Sequence, residues 1–355
     1  MTAPDLLART AELVDIASVS HNETALADHV ERVLRATTLD VERVGDNVVA
    51  RTSLGRSQRL LLAGHLDTVP PNGNDVAKLD GDVLWGLGSA DMKGGLAVML
   101  ELASRATEPA VDLSYVFYVC EEVEQEHNGL VHLLRERPDL VRADAAILGE
   151  PTGAVVEAGC QGTARFEVLV NGQRAHTARP WMGRNAIHRL APVLERTAGY
   201  VAREPEIDGC RFKESLQAVS VEGFVAFNVV PDRARVVLNH RFAPDRTVDE
   251  AMAGVRQLLG DSITESDGDR LSLLDQSAAA PPSLGHPLLK ELVSSTGQAP
   301  RAKLGWTDVS FFSQHGVPAT NFGPGDPNVA HTAEERVPRD QLDACYAALS
   351  NLVGG

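Results

Sequence analysis

Leu60-Leu-Leu-Ala-Gly-His65-Leu-Asp67 is an apolar run that stops abruptly at two polar residues, and three more stretches are built the same way. Tyr115-Val-Phe-Tyr-Val-Cys120 runs into Glu121-Glu122, and Ala145-Ala-Ile-Leu148 runs into Gly149-Glu150. Ala319-Thr-Asn-Phe322 runs into a Gly/Pro-rich loop that ends at His331. Short runs this apolar, bounded by turn residues, predict strands buried on both faces. Gly94–Ser104 and Gly129–Glu136 have helical spacing, and residues 5–36 alternate like one opening amphipathic helix. The predicted fold is α/β, a mixed central sheet flanked by helices. Open sheets of this kind gather their ligands past the carboxyl ends of the strands. The polar residues that end the four runs lie there.

Residues 159–275 have a different texture. Thr163–Val170 alternates like a half-exposed strand and reaches Asn171-Gly172, a hairpin-turn signal. A helix around Asn185–Arg196, a strand at Arg235–Arg241 and a helix at Val248–Leu259 are predicted to follow. This reads as an inserted α+β domain over 159–275, with 1–158 and 276–355 forming the main domain.

A chain of 355 residues can bury a substantial core in two domains. Thirty-three Lys and Arg against 49 Asp and Glu give a formal charge of −16. Such a surface repels phosphate backbones and anionic lipid, which argues against nucleic-acid or membrane partners. Met1-Thr-Ala-Pro-Asp5 lacks the basic start and apolar stretch of a leader, and no apolar run approaches the roughly 20 residues that cross a bilayer. Cys120, Cys160, Cys210 and Cys345 are far apart and form no CxxC pair, so a reduced, cytoplasmic chain is expected.

The chemistry is read from the strand ends. His65 and Asp67 point to one side of a strand, although a lone histidine there is more often a satisfied core or loop residue. Trp85-Gly-Leu-Gly-Ser-Ala-Asp91-Met-Lys-Gly94 packs glycines around one aspartate, so the backbone can turn tightly. It lacks the features of a phosphate or dinucleotide loop. Glu121-Glu122 are costly to bury unless a cation is present, and as a pair they can divide labour. One can coordinate a metal while the other takes a proton from water. With Glu150 and His331, two histidines and several carboxylates stand at separate strand ends with no thiolate among them. That donor set suits two divalent ions, zinc first among them, bridged by one carboxylate.

His65-Leu-Asp-Thr-Val-Pro70, Gly86-Leu-Gly-Ser-Ala-Asp-Met-Lys-Gly94, Glu121-Glu122, Gly149-Glu-Pro-Thr152 and His331 resemble, in order and spacing, the zinc aminoacylase/carboxypeptidase superfamily. The resemblance covers essentially the whole chain. It implies a zinc-peptidase-like catalytic, metal-binding domain at 1–158 and 276–355 and a lid and dimerisation domain at 159–275. It implies that Asp91 bridges two ions, zinc with cobalt as a substitute. His65 and Glu150 would hold one, and Glu122 and His331 the other. Asp67 would orient His65, and Glu121 would be the general base. Arg174-Ala-His176-Thr-Ala-Arg179-Pro180 matches the segment whose histidine bonds the developing oxyanion, often from the partner subunit of a dimer. Without the family, His176 reads as a surface histidine after a hairpin.

Within the superfamily the likeness is strongest to actinobacterial-type desuccinylases, carried by Glu157–Gly162, Arg174–Arg179, Gly305–Ser310 and Phe322–Asp326. The resemblance therefore implies hydrolysis of N-succinyl-LL-2,6-diaminopimelate. The alternatives are a sister amidohydrolase (acetylornithine deacetylase, aminoacylase or dipeptidase) and a binding module that has kept the fold, against which the intact Glu121 speaks. An anionic N-acyl amino acid needs local cations in so acidic a protein. Arg174, Arg179 and Arg241 are the candidates, with Asn228 as a further hydrogen-bond partner by resemblance. Cys160-Gln161 and Trp306 depart from the proteobacterial pattern at positions near the substrate, so its carboxylate contacts do not carry over unchanged.

Overall fold

In the computed structural model, which describes residues 4–354, the four apolar runs are neighbouring strands of one eight-stranded sheet. Its strands are β1 (Asp40–Val44), β2 (Asn47–Arg51), β3 (Arg59–His65), β4 (Asp112–Tyr118), β5 (Ala145–Leu148), β6 (Glu157–Ala158), β7 (Arg301–Ala302) and β8 (Ala319–Asn321). They lie in the order β1-β2-β4-β3-β5-β8-β6-β7. The central four, β4, β3, β5 and β8, are mutually parallel, whereas β1, β2 and β6 pair antiparallel with their neighbours. The sheet is thus mixed. Every residue of β4, β5 and β8 is buried, which is why Tyr115–Tyr118 and Ala145–Leu148 read as unbroken runs rather than alternating ones. Four parallel neighbours also place their carboxyl ends along one edge.

Helices Leu6–Val14, Lys93–Arg105 and Arg339–Val353 pack on one another and join the sheet in one apolar cluster with Leu62, Leu113, Phe117 and Ile147. The single opening helix expected over 5–36 is two helices, Leu6–Val14 and Thr24–Arg35. Between them the chain leaves the helical path. Thr68 N–H donates to the Ser18 carbonyl at 2.9 Å, Ser20 N–H donates to the Thr68 carbonyl at 3.2 Å, and His21 takes a φ of 70°. Periodicity missed the break because both helices bury an apolar stripe in the same cluster. Met1–Ala3, part of the stretch from which no leader was expected, lie outside the described residues. No helix among the described residues is long and apolar enough to cross a membrane.

The chain divides into two compact units, the first comprising the described residues up to Ala158, Pro282–Arg301 and the segment from Phe311 onward. The second comprises Gly159–Pro281 and Ala302–Ser310. The boundary expected at 275/276 falls inside strand Arg270–Ser277, which is bonded along Gly162–Asn171. Ala302–Ser310 is held in the second unit by Trp306 Nε1 and Ser310 Oγ, which donate to the Ala278 carbonyl at 3.2 and 2.8 Å.

The second unit is built on a four-stranded antiparallel sheet, ordered Ser215–Glu222, Arg233–Phe242, Gly162–Asn171, Arg270–Ser277. Along Arg233–Phe242 burial alternates strictly, so Ala234, Val236, Leu238, His240 and Phe242 face the unit's core. Helix Val248–Leu259, closed by a Thr247/Glu250 capping box, and helix Ala191–Ala198 supply residues to that core. The helix expected over Asn185–Arg196 is split at Leu190, ahead of Pro192, into Ala186–Arg189 and Ala191–Ala198. Asn171-Gly172 does not close a hairpin, because both partners of Gly162–Asn171 lie far along the chain. Gly172 serves a close approach instead: a Cβ there would sit 2.0 Å from the Arg184 carbonyl oxygen.

Candidate metal centre

The carboxyl ends of the parallel strands bring six of the expected residues together. His65 is the last residue of β3 and is buried. Glu121 and Glu122 lie just past β4, and Glu150 lies just past β5. Asp91 arrives on the glycine loop before helix Lys93–Arg105 and is joined to Met92 by a cis peptide. Gly88 turns that loop with a φ of 78°. Gly95 lets the start of the helix close on the neighbouring loop, since a Cβ there would sit 2.2 Å from the Gly149 carbonyl oxygen. His331, with a φ of 62°, comes from the long loop after β8.

Three triads of ligand atoms lie within 4.8 Å of one another: His65, Asp91 and Glu150; His65, Glu121 and Glu122; and Asp91, Glu122 and His331. The first and third share Asp91. His65 Nε2 is 3.1 Å from Asp91 Oδ1, and His331 Nε2 is 3.6 Å from Asp91 Oδ2 and 2.8 Å from Glu122 Oε1. Imidazole and carboxylate donors on both sides of one shared carboxylate are the chemistry that two adjacent divalent cations require. The residues fit such a pair.

The electrostatics of the site are those of concentrated negative charge. Hydrogen bonds to Asp91 and Glu122 raise His331 to about 10, overcoming partial burial. Burial pushes His65 down, but Asp67 and Asp91 outweigh it and hold the ring well above its ordinary value. Burial pushes Asp91 up, and its bonds to the two histidines reverse that, leaving it far below the usual carboxylate range. Divalent ions would supply this positive charge and displace the imidazole protons.

Asp67, the residue expected to orient His65, meets that ring and a second partner. His65 Nδ1 lies 3.0 Å from the main-chain carbonyl of Asp67 and 3.4 Å from its carboxylate. The carboxylate itself accepts the N–H groups of Glu121 and Glu122, one on each oxygen, both at 3.0 Å. Ser20 Oγ donates to it at 2.8 Å. Ser20 was not anticipated, since it lies where periodicity read continuous helix, and only the pairing of Ser18–Ser20 with Thr68 reveals it.

The other expected residues belong to the second unit. His176 sits on a two-stranded ribbon, Ala175–His176 paired with Val229–Val230, and Thr177 N–H donates to the Asn228 carbonyl at 3.0 Å. His176 Nδ1 accepts the Ala178 N–H at 3.0 Å, so the neutral ring carries its proton on Nε2 and presents it as a donor. Arg174 is engaged by Asp232 at 2.9 Å, and Arg179 N–H donates to the His176 carbonyl at 2.8 Å. Arg241 lies on the sheet face opposite the unit's core. Cys160 and Gln161 are fully buried: Cys160 pairs its backbone with Ala280, and the Gln161 side-chain oxygen accepts the Lys213 N–H at 3.0 Å. Both have structural partners in their own unit.

The profile of the peptidase family M20/M25/M40 matches residues 61–354. A succinyl-diaminopimelate desuccinylase of Corynebacterium glutamicum is 44% identical over 352 residues, 97% of this chain and 95% of that protein. A Mycobacterium tuberculosis protein that carries the same name provisionally is 50% identical over 353 residues, 99% of this chain and 98% of its own length. Among solved structures, a Staphylococcus aureus tripeptidase superposes with a TM-score of 0.79 at 21% identity, covering 98% of this chain and 96% of that one. A Bacillus subtilis dinuclear metal binding peptidase of the M20 family superposes with a TM-score of 0.69 at 14% identity, covering 98% and 96%. At such identities the likeness to the solved structures is one of fold.

Proposed function

From the premise that this chain belongs to the peptidase family M20/M25/M40, we propose that it hydrolyses N-succinyl-LL-2,6-diaminopimelate to succinate and LL-2,6-diaminopimelate. The observation that carries the chemistry is the pair of ligand triads sharing Asp91, with Glu121 beside them. Near-full-length identity to the Corynebacterium glutamicum desuccinylase supports the substrate.

His65 and Glu150 would hold one divalent ion and Glu122 and His331 the other, with Asp91 shared. Zinc suits these donors and cobalt can replace it. When bound, the ions supply Lewis-acid polarisation of the scissile carbonyl and acidify the attacking water. Glu121 takes the proton from that water on a carboxylate oxygen as the new C–O bond forms and the carbonyl electrons move onto oxygen; it then delivers the proton to the amine nitrogen as the carbonyl re-forms and the amide C–N bond breaks. Asp67 holds the main chain of Glu121 and Glu122 while this happens. His176, by the role the family resemblance implies, donates its Nε2–H to the oxygen as negative charge develops there.

The substrate is anionic, and Arg241 is the first choice for a carboxylate. It is half-buried, and burial together with the neighbouring Arg165 lowers its affinity for a proton, conditions under which an incoming carboxylate would be stabilising. Arg179 and Asn228 flank His176 and would complete the recognition, and Arg174 would contribute beyond its bond to Asp232. A homodimer through the second unit is supported by its edge strand Ser215–Glu222, which exposes Val219 and Val221, and by Phe227 at 96% exposure nearby. A cytoplasmic location fits four free cysteines.

The test is purified protein loaded with zinc and assayed in parallel on succinyl-diaminopimelate, acetylornithine and a dipeptide. The expected result is preference for the succinylated substrate, abolished by a chelator and restored by zinc or cobalt. Preference for either of the other substrates would overturn the assignment.

A further inference from the structure

We propose that Glu335 is a positioning residue of the metal centre, whose carboxylate holds the loop of Asp91 in register with the segment that carries His331. This rests on the reading of Asp91 and His331 as ligands.

Glu335 is 1% exposed. One of its carboxylate oxygens accepts the N–H of Ala90 at 3.1 Å and the N–H of Asp91 at 3.0 Å. Its main-chain carbonyl accepts the Gly86 N–H at 3.1 Å, so the two ends of the glycine loop are tied to one residue. Glu335 follows His331 by a single compact turn, in which Thr332 N–H donates to the Val329 carbonyl and Glu335 N–H to the Thr332 carbonyl, both at 3.3 Å. The next residue, Arg336, enters strand Arg336–Pro338. It pairs with Trp85 in Val83–Trp85 and sets its guanidinium 4.7 Å from the indole centroid. The chain leading into Asp91 and the chain leading out of His331 are thereby locked together from residue 85 to residue 91.

A carboxylate is the side chain suited to this task. Ser89 and Lys93 find the Gly86 and Gly88 carbonyls within the loop, but the successive N–H groups of Ala90 and Asp91 converge on Glu335, and one carboxylate oxygen can accept two converging donors. Burying that charge is costly unless it is hydrogen-bonded and compensated. Lys93, a buried ammonium that donates to the Ile16 carbonyl at 2.8 Å, attracts Glu335 and offsets part of that cost, while burial still pushes the carboxyl up to about 7. The same device serves the neighbouring loop, where Asp67 accepts the consecutive N–H groups of Glu121 and Glu122. The centre thus has two buried acids, neither in the ligand triads, each gripping the backbone of one ligand-bearing loop.

The test measures zinc and cobalt affinity by competition with a chromophoric chelator, for wild type, E335A and E335Q, beside kcat, KM and the melting temperature of the metal-free proteins. E335A is expected to bind metal about 10–100-fold more weakly, as loss of an outer partner of a ligand typically does. Its cobalt absorption bands should shift, and kcat should fall with KM unchanged. E335Q keeps the acceptor oxygen and should recover most of that affinity. Should E335A fail to fold, E335M, which keeps the volume without the acceptor, is read against E335Q by the same criteria. A lowered melting temperature with wild-type metal affinity would make Glu335 a structural acid only and overturn the proposal, as would equal metal affinities for E335Q and E335M. Wild-type protein that takes up no divalent ion would instead defeat the metal-centre reading itself.

Discussion

Asparagine in place of Asp67 removes one charge and one acceptor from a side chain whose hydrogen bonds are all assigned. One carboxylate oxygen takes the Glu121 N–H, and the other takes the Glu122 N–H and the Ser20 hydroxyl. An amide has a single oxygen, so one of the two main-chain N–H groups would face an NH2 group. The Ser20 hydroxyl can rotate and accept instead. His65 is spared, because Nδ1 lies nearer the Asp67 main-chain carbonyl, at 3.0 Å, than the carboxylate, at 3.4 Å. A hydrogen bond to a charged group contributes roughly 1.5–3 kcal/mol. Losing one, at about 2 kcal/mol, corresponds to roughly a 30-fold effect. The loss falls on the loop that carries Glu121, so kcat should drop by about that factor while KM holds. The assay is steady-state hydrolysis of succinyl-diaminopimelate, with zinc per chain measured on the same samples. Unchanged kcat would refute the reasoning, and so would a fall in kcat fully explained by lost zinc, because the backbone anchor would then serve the ligands rather than the base.

His176→Ala should lower kcat by about 10²–10³, the range for one oxyanion donor, with metal content unchanged; zinc stoichiometry that fell with activity would contradict the donor role. Arg241→Ala should raise KM for the succinylated substrate by roughly 10–100-fold, the equivalent of one charge-assisted bond, while preserving metal content; an unaltered KM in folded protein would return Arg241 to a structural place. Burial, outweighing attraction to Glu214, pushes His240 down to about 4, whereas the unfolded chain carries a histidine near 6.5. The folded ring is therefore neutral, its contribution is present above about pH 6.5, and it is lost as pH falls toward 4 because the unfolded state binds the proton first. Between pH 7 and 5 this is worth about 2 kcal/mol, so urea midpoints should drop over that interval in wild type and drop less in His240→Leu. Equal drops in both proteins would show that His240 is not the titrating group.

Much of the site is legible in the chain because its residues follow a simple positional rule. Four runs buried on both faces cannot hide their ends, and His65, Glu121, Glu122 and Glu150 occupy those ends. Asp91 is marked by the glycines its loop requires. The break between the opening helices left no such mark, because the helices on both sides of it bury into one cluster. Asn171-Gly172 misled for a related reason, since a glycine needed for close backbone contact with Arg184 has the same letter as a turn glycine. Ser20 and Glu335 were missed altogether. A serine in an apparent helix and one acid among neighbours in Glu334-Glu335 carry no local signal, because what distinguishes them is which distant N–H group they meet.

From the sequence alone follow the α/β class, the buried strands and the identity of the candidate ligands, because burial periodicity and strand ends are properties of short segments. Only the tertiary structure decided that Asp91 stands between two triads, that the Asp67 carboxylate accepts the main-chain N–H groups of Glu121 and Glu122, and that Glu335 ties Asp91 to the His331 segment. Those relations join residues far apart in the chain. A hydrogen bond of 3 Å is set by the packing of whole elements, which no local pattern of residues encodes.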